Sequence, residues 1–144
     1  MLVQDRETAR RFFIDVWRKK RQAMALEPLQ EQIAEIIMQH PEYQTILEDS
    51  EALQRSYLPE NGVTNPFLHM GLHLAVQEQL MTDRPQGIRL LYQQGLRRFG
   101  DAHELEHRIM DCLAETLWNA QRRNALPDEA EYLRCVRELV TSFA

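Results

Sequence analysis

The amino-acid sequence predicts an all-α protein, a single-domain helical bundle of five to six helices with two histidine-bearing helices in its core. Apolar residues recur three and four positions apart along most of the chain, which places them on one face of an α-helix. Residues that start and stop helices stand where this periodicity begins and ends. The length of 144 residues, 44% of them hydrophobic and 27% charged, suits one folded domain over residues 1–144.

Two helices are predicted at the start of the chain. The first covers about residues 5–25, where apolar and charged side chains fall on different faces. The second begins at Glu27-Pro28. Proline has no N–H group, and it suits the first helical turn because the N–H groups there have no partner within the helix. It ends at His40-Pro41, since a residue before proline disfavours the helical conformation.

A short helix over residues 42–47 is predicted next, followed by an irregular segment over about 49–64 that is rich in Asp, Ser, Pro, Asn and Gly. Asn65-Pro66 then starts a helix that extends to about residue 81, with asparagine as the cap and proline in the first turn. This helix is apolar almost all round. We therefore expect it to be buried on most sides.

The C-terminal part of the chain predicts three further helices. One over about residues 86–99 ends at Gly100, because glycine adopts the left-handed conformation of a helix terminus at little cost. Asp101 caps the next helix, a long one that ends near Asn124. Pro127 begins the last helix.

Four of the five histidines form two pairs with the spacing H-x-x-x-H, namely His69 with His73 and His103 with His107. Positions four apart differ by about 40° around a helix, so each pair shares one face. Both pairs are expected to point inward, because steps of seven residues lead from them along apolar stripes: Val76 and Leu80 on one helix, Met110, Ala114 and Leu117 on the other. If neighbouring helices alternate in direction, all four imidazoles can occupy one layer of the bundle.

Buried imidazoles need partners, since charged ones repel each other and neutral ones still require hydrogen bonds. A divalent transition metal satisfies them through their nitrogen lone pairs, and zinc or iron is the cofactor that we favour. The sequence therefore predicts metal ligation by His69, His73, His103 and His107. Glu106 lies about 60° from His103 around the helix and is the candidate metal ligand or catalytic base.

The stretch from His103 to His107 also matches two zinc-hydrolase patterns. H-E-x-x-H would use Glu104 as the general base, and H-x-x-E-H would use Glu106. Glu104 also has a structural explanation, because it stands three residues after the helix cap Asp101. A metal-dependent hydrolase and a redox protein both stay open. The alternative function is a non-catalytic interaction or structural protein with a histidine-rich polar core.

One further histidine and two cysteines could also take part in binding or chemistry. His40 precedes Pro41 at a helix end, where a capping role is expected and a role as a further ligand is the alternative. Cys112 and Cys135 lie in helical patterns and are expected to be reduced thiols, which favours a cytoplasmic location over an oxidising one. A disulfide between them is the alternative.

Charge and hydropathy narrow the range of partners. A net charge of −5 gives no overall attraction for nucleic acid or for anionic membranes. No apolar run approaches the ~20 residues that a membrane helix needs. The basic run Arg18–Arg21 is expected to be a solvated helix end. The expected partner is therefore a metal ion, while a protein partner or a homodimer stays open.

Several short motifs resemble a family of bacterial proteins of about this length and of unknown function. They are H-P-E-Y at His40–Tyr43, N-P-F-L-H-x-x-x-H at Asn65–His73, D-R-P-x-G-I at Asp83–Ile88, H-x-x-E-H at His103–His107 and C-L-A-E-x-x-W at Cys112–Trp118. The resemblance spans nearly the whole chain apart from the N-terminal helix. It implies that Glu106 rather than Glu104 is the recurrent carboxylate, and that relatives carry a histidine where this chain has Gln44. It implies an architecture and a site location but no reaction.

Overall fold

The computed structural model describes residues 6–49 and 65–142, and this part of the chain is helical, with no strand. Its seven helices are α1 (Arg6–Arg21), α2 (Pro28–Met38), α3 (Pro41–Leu47), α4 (Pro66–Thr82), α5 (Ile88–Phe99), α6 (Ala102–Arg123) and α7 (Glu129–Thr141). The all-helical prediction is confirmed. The predicted number of five to six helices is too low, since the described residues contain seven, one in each segment where the sequence predicts a helix. Residues 50–64 of the predicted irregular segment lie outside the described residues.

The chain divides into two compact units, Met1–Leu74 and Ala75–Ala144. The boundary between them falls inside α4, so this helix begins in the first unit and ends in the second. Among the described residues, each unit otherwise contains three helices of its own. The organisation of residues 1–144 as a single domain stays a prediction.

In the first unit α1, α2 and α3 pack against one another. Their buried side chains form a core that the start of α4 joins through Phe67 and Met70. The Phe67 ring lies 6.3 Å from that of Phe13 on α1. Trp17, also on α1, is buried, and its indole N–H donates to the Glu48 carboxylate over 3.0 Å. Long-range contacts from the end of α3 and the start of α4 thus fix this core.

In the second unit α5, α6 and α7 pack against one another. The closest approach is at Gly95 on α5, where a β-carbon would lie 2.9 Å from side-chain atoms of both Leu105 and Val140. These two side chains are fully buried. A glycine is therefore needed here for packing rather than for backbone conformation.

A disulfide bond joins Cys112 of α6 to Cys135 of α7. The expectation of two reduced thiols is corrected by this bond. The two α-carbons are 5.8 Å apart, which is within the range that a disulfide spans. Helical periodicity shows which face a cysteine occupies, but not which residue of a neighbouring helix it meets, and the two cysteines are 23 residues apart.

Three helix termini follow the predicted signals, whereas α7 begins at Glu129 with Asp128 as its cap rather than at Pro127. The Asn65 side chain accepts hydrogen bonds from the N–H groups of Phe67 and Leu68, at 3.0 and 3.1 Å. Asp101 caps α6 by accepting from the second and third residues of the helix. Gly100 ends α5 in the left-handed conformation, with φ of 69°. These termini determine where the two histidine pairs begin, because each pair lies in the first two turns of its helix.

Candidate metal centre

His69 and His73 lie one turn apart near the start of α4. Their Nε2 atoms are 3.1 Å apart, and their rings meet edge to face with centroids 4.8 Å apart. His73 is fully buried and His69 is half-buried. The predicted inward orientation of this pair is confirmed.

His40 joins this pair from the junction between α2 and α3. Its ring centroid lies 5.0 Å from that of His69 and 4.8 Å from that of His73. The ring is 4% exposed. The nitrogens that the three histidines can offer to a metal ion all lie within 4.8 Å of one another. The first unit thus brings together three imidazoles, one of which was assigned to helix capping from the sequence.

A hydrogen bond fixes the orientation of the His40 ring. Its Nδ1 lies 2.7 Å from the main-chain oxygen of Ile36. Since a carbonyl oxygen only accepts, Nδ1 must carry the proton and donate, which leaves the lone pair on Nε2. The bond satisfies a carbonyl in the last turn of α2, which is the capping role expected at this helix end; the side chain makes no cap bond to α3. Metal-binding histidines commonly make such a bond through the nitrogen that does not bind the metal.

Tyr43 packs against two of the three histidines. Its ring stacks on that of His40, with centroids 5.1 Å apart and planes 6° from parallel, and it meets His69 edge to face at 5.7 Å. Burial and, to a lesser extent, the Glu42 carboxylate raise the pKa of Tyr43 above its usual value. The phenol is therefore neutral at physiological pH and adds an aromatic wall without adding charge.

The spacing of the nitrogens suits a metal ion. Zinc–imidazole bonds of ~2.0–2.1 Å at tetrahedral angles place ligand nitrogens about 3.3 Å apart. The Nε2 atoms of His69 and His73, at 3.1 Å, are already close to that separation. The largest separation in the set is 4.8 Å, so adjustments of about 1.5 Å or less would bring all three nitrogens to bonding distance.

The second histidine pair lies at the start of α6. The rings of His103 and His107 have centroids 4.2 Å apart. His107 is half-buried, but His103 is exposed, and so is Leu117, which lies two heptads further on. The expected inward orientation of His103 is therefore wrong. At 100° per residue His103 lies about 120° around α6 from Ile109, near the centre of its buried face, and the stripe through Met110 and Leu117 runs along one side of that face.

The two glutamates between these histidines have different surroundings. Glu106 is half-buried and accepts a hydrogen bond of 3.2 Å from the side-chain amide of Gln77 on α4. Its charge also raises the pKa of Tyr92, although burial is the larger cause. Glu104 is exposed and pairs with Arg108 at 3.1 Å. Glu106 is thus the half-buried one of the two carboxylates, and its role as ligand or base stays a prediction.

A family model described as a domain of unknown function, DUF1841, matches residues 5–138. The chain belongs to this family. The resemblance to a family of short proteins of unknown function is confirmed by this match. No curated protein and no solved structure matches this DUF1841 chain. The family description assigns no activity, and the functional argument therefore rests on the residues themselves.

Hydropathy adds one observation on this DUF1841 chain. Each helix in the described ranges is too short or too polar to cross a membrane.

Proposed function

We propose that this protein binds a divalent transition metal through His40, His69 and His73, with His107 as a fourth ligand. The observation that carries the proposal is the convergence of three imidazoles whose nitrogens lie within 4.8 Å, two of them almost entirely buried. Neutral imidazoles in such a place need partners for their lone pairs, and a metal ion supplies one partner for all of them. Zinc or iron is the ion that we favour, since both accept imidazole ligands.

The inclusion of His107 is supported by the sequence of contacts along α4. His69, His73 and Gln77 are successive members of one stripe, since they lie four residues apart on a continuous helix. Gln77 binds Glu106, the residue that precedes His107.

His40 replaces His103 in this proposed ligand set. The sequence-derived ligand set of His69, His73, His103 and His107 is a separate prediction, and the two sets differ in this one member. The exposure of His103 disfavours it, because a ligand in a buried site loses solvent contact. The fixed tautomer and burial of His40 favour the exchange.

A catalytic role would involve Glu106. A carboxylate that is positioned by an amide and stands beside a metal ligand can accept a proton from metal-bound water, as the general base of a hydrolase does. The contact with Gln77 is what supports this role. A redox function is the other catalytic option, since iron bound by imidazoles changes oxidation state without needing this base.

The non-catalytic alternative is supported by a different observation. The 3.1 Å contact between His69 and His73 is also a good hydrogen-bond distance, and His40 is already bonded to Ile36. In this alternative the imidazoles satisfy one another and build a polar core that orders the helices, with or without a protein partner or a second copy of the chain.

Elemental analysis of protein purified without a histidine tag distinguishes these functions. We expect about one transition-metal ion per chain, either as isolated or after incubation with zinc or ferrous ion and desalting. The His73→Ala variant should lose this metal, because it removes the most buried ligand, whereas His103→Ala should retain it. Protein that stays metal-free after incubation would establish the polar-core alternative. A metal content equal in all three proteins would show that the ion binds elsewhere.

We also propose that the protein is located in the cytoplasm. Reduced thiols were the main support for this location, and the disulfide between Cys112 and Cys135 weakens it, since disulfides persist chiefly in oxidising compartments. Titration of free thiols in freshly lysed cells, with alkylation at the moment of lysis, tests it. Two free thiols per chain are expected in the cytoplasm.

A further inference from the structure

We infer that the metal ion in this centre binds a small anion as an additional ligand. This inference rests on the metal binding proposed above and names the class of molecule that the centre accepts: hydroxide or another anion of a few atoms. Three features of the site support it, namely the charge of its ligands, the partner of His40 and the burial of the rings.

The first feature is that the proposed ligands are uncharged. A histidine binds a metal through the lone pair of a neutral imidazole. His40, His69 and His73, with or without His107, therefore leave the whole charge of a divalent ion in place. A buried charge is costly unless it is paired. An anion bound directly to the metal ion would pair this charge at the shortest distance.

The second feature is the orienting partner of His40. In many metal sites a carboxylate accepts the second N–H of a ligating histidine and so places negative charge near the ion. Here the acceptor is the main-chain carbonyl of Ile36, which is neutral. The ring of Tyr43 stacks on that of His40 through its aromatic face. These two contacts of His40 hold the ligand without reducing the charge of the site.

The third feature limits the size of the anion. His73 is fully buried and His40 is 4% exposed, whereas His69 is half-buried. Of the three rings, that of His69 is the most exposed, and we expect an exogenous ligand to approach on its side. Zinc sites with three imidazoles keep a further position for water or substrate, and four-coordinate sites expand to five. The burial of these rings therefore favours an anion of a few atoms over a larger ligand.

The test uses the full chain loaded with cobalt(II), whose visible absorption bands report its ligands. Azide is the probe, and acetonitrile, a neutral linear molecule of similar length, is the control. We expect a saturable shift of the cobalt bands with azide and none with acetonitrile. The exposed His103 provides a matched variant, and His103→Ala should respond to azide as the wild type does.

Each other outcome overturns a stated part of the argument. Cobalt bands that are present but do not change with azide would overturn the anion inference alone. A response to azide in Glu106→Gln but not in the wild type would also overturn it, since the Glu106 carboxylate would then be the group that balances the metal. Protein that shows no ligand-field bands with cobalt would overturn the proposed metal binding, and the inference with it.

Discussion

The Nδ1 atom of His40 lies 2.7 Å from the main-chain oxygen of Ile36, one turn earlier in the chain. This hydrogen bond ties the ring to the end of α2, and the ring centroid lies within 5.0 Å of those of His69 and His73 on α4. A residue before a proline, which the sequence marks only as a helix end, is thereby placed among the candidate metal ligands.

The His40→Ala variant should lose most of the metal-dependent stabilisation of the fold. A ligand that binds the native state raises its stability in proportion to its affinity, and removal of one imidazole weakens that affinity by at least tenfold. The measurement is the difference in melting temperature with and without zinc for each protein, which cancels any direct effect of the mutation on folding. His103→Ala is the matched control and should keep the full difference. The reverse result would restore the ligand set predicted from the sequence.

Gly95→Ala should destabilise the protein by about 1 kcal/mol. Overpacking typically costs ~1–3 kcal/mol, and the higher helix propensity of alanine returns up to about 1 kcal/mol of this. The added carbon would lie 2.9 Å from buried atoms of Leu105 and Val140. Gly71→Ala, on α4, is the control, because its β-carbon meets nothing within 4 Å. Urea unfolding should show that variant to be more stable than the wild type by about 0.5–1 kcal/mol. Equal effects at both positions would contradict the packing on α5.

Reduction of the disulfide between Cys112 and Cys135 should lower stability by about 3 kcal/mol. The bond closes a loop with a sequence separation of 23, and the loss of chain entropy in the unfolded state gives this magnitude. Melting temperatures with and without reductant measure the effect. The Cys135→Ser variant should melt at the lower temperature and be insensitive to reductant. Two free thiols in the purified, unfolded wild type would contradict the bond.

Stability should fall in alkaline solution through Tyr132. Burial raises the pKa of Tyr132 well above the ordinary tyrosine value of 10.0, and its hydroxyl donates to the side-chain oxygen of Gln79. The pKa of Tyr132 is higher in the folded chain than in the unfolded chain, so its contribution to the free energy of unfolding is complete below pH 10.0. This contribution is lost as the pH rises above that value, because the unfolded chain releases the tyrosine proton first. The slope of melting temperature against pH above this value should be shallower in Tyr132→Phe. Parallel slopes would contradict this role.

The sequence predicted the ends of helices correctly where a side chain caps the terminus. Asn65 caps α4 and Asp101 caps α6, as expected, because a side-chain oxygen two or three residues before an unbonded N–H is a local relationship. The inward orientation of His73 also followed from local periodicity. Such features depend on residues within one or two turns, which the sequence displays directly.

The site was predicted only in part, because its completion depends on contacts between distant segments. His40 and His69 are 29 positions apart, with α3, residues 50–64 and the start of α4 between them, and no spacing rule brings them together. The same holds for Cys112 and Cys135. His103 was misplaced for another reason. The buried side of α6 is centred on Leu105, Ile109 and Leu113, and the stripe from His103 lies about 80–120° to one side of it, so that Met110 alone of that stripe is buried.

The two tryptophans of the chain lie one in each unit. Trp17 is 7% exposed, with its indole bonded to Glu48, whereas Trp118 is 57% exposed and lies against the Arg122 guanidinium at 4.2 Å. Their fluorescence should therefore differ in colour, that of Trp17 lying to the blue of that of Trp118. Replacement of either one by phenylalanine turns the other into an optical reporter of its own half of the chain. Unfolding and metal loading can then be followed in each half by the light that it emits.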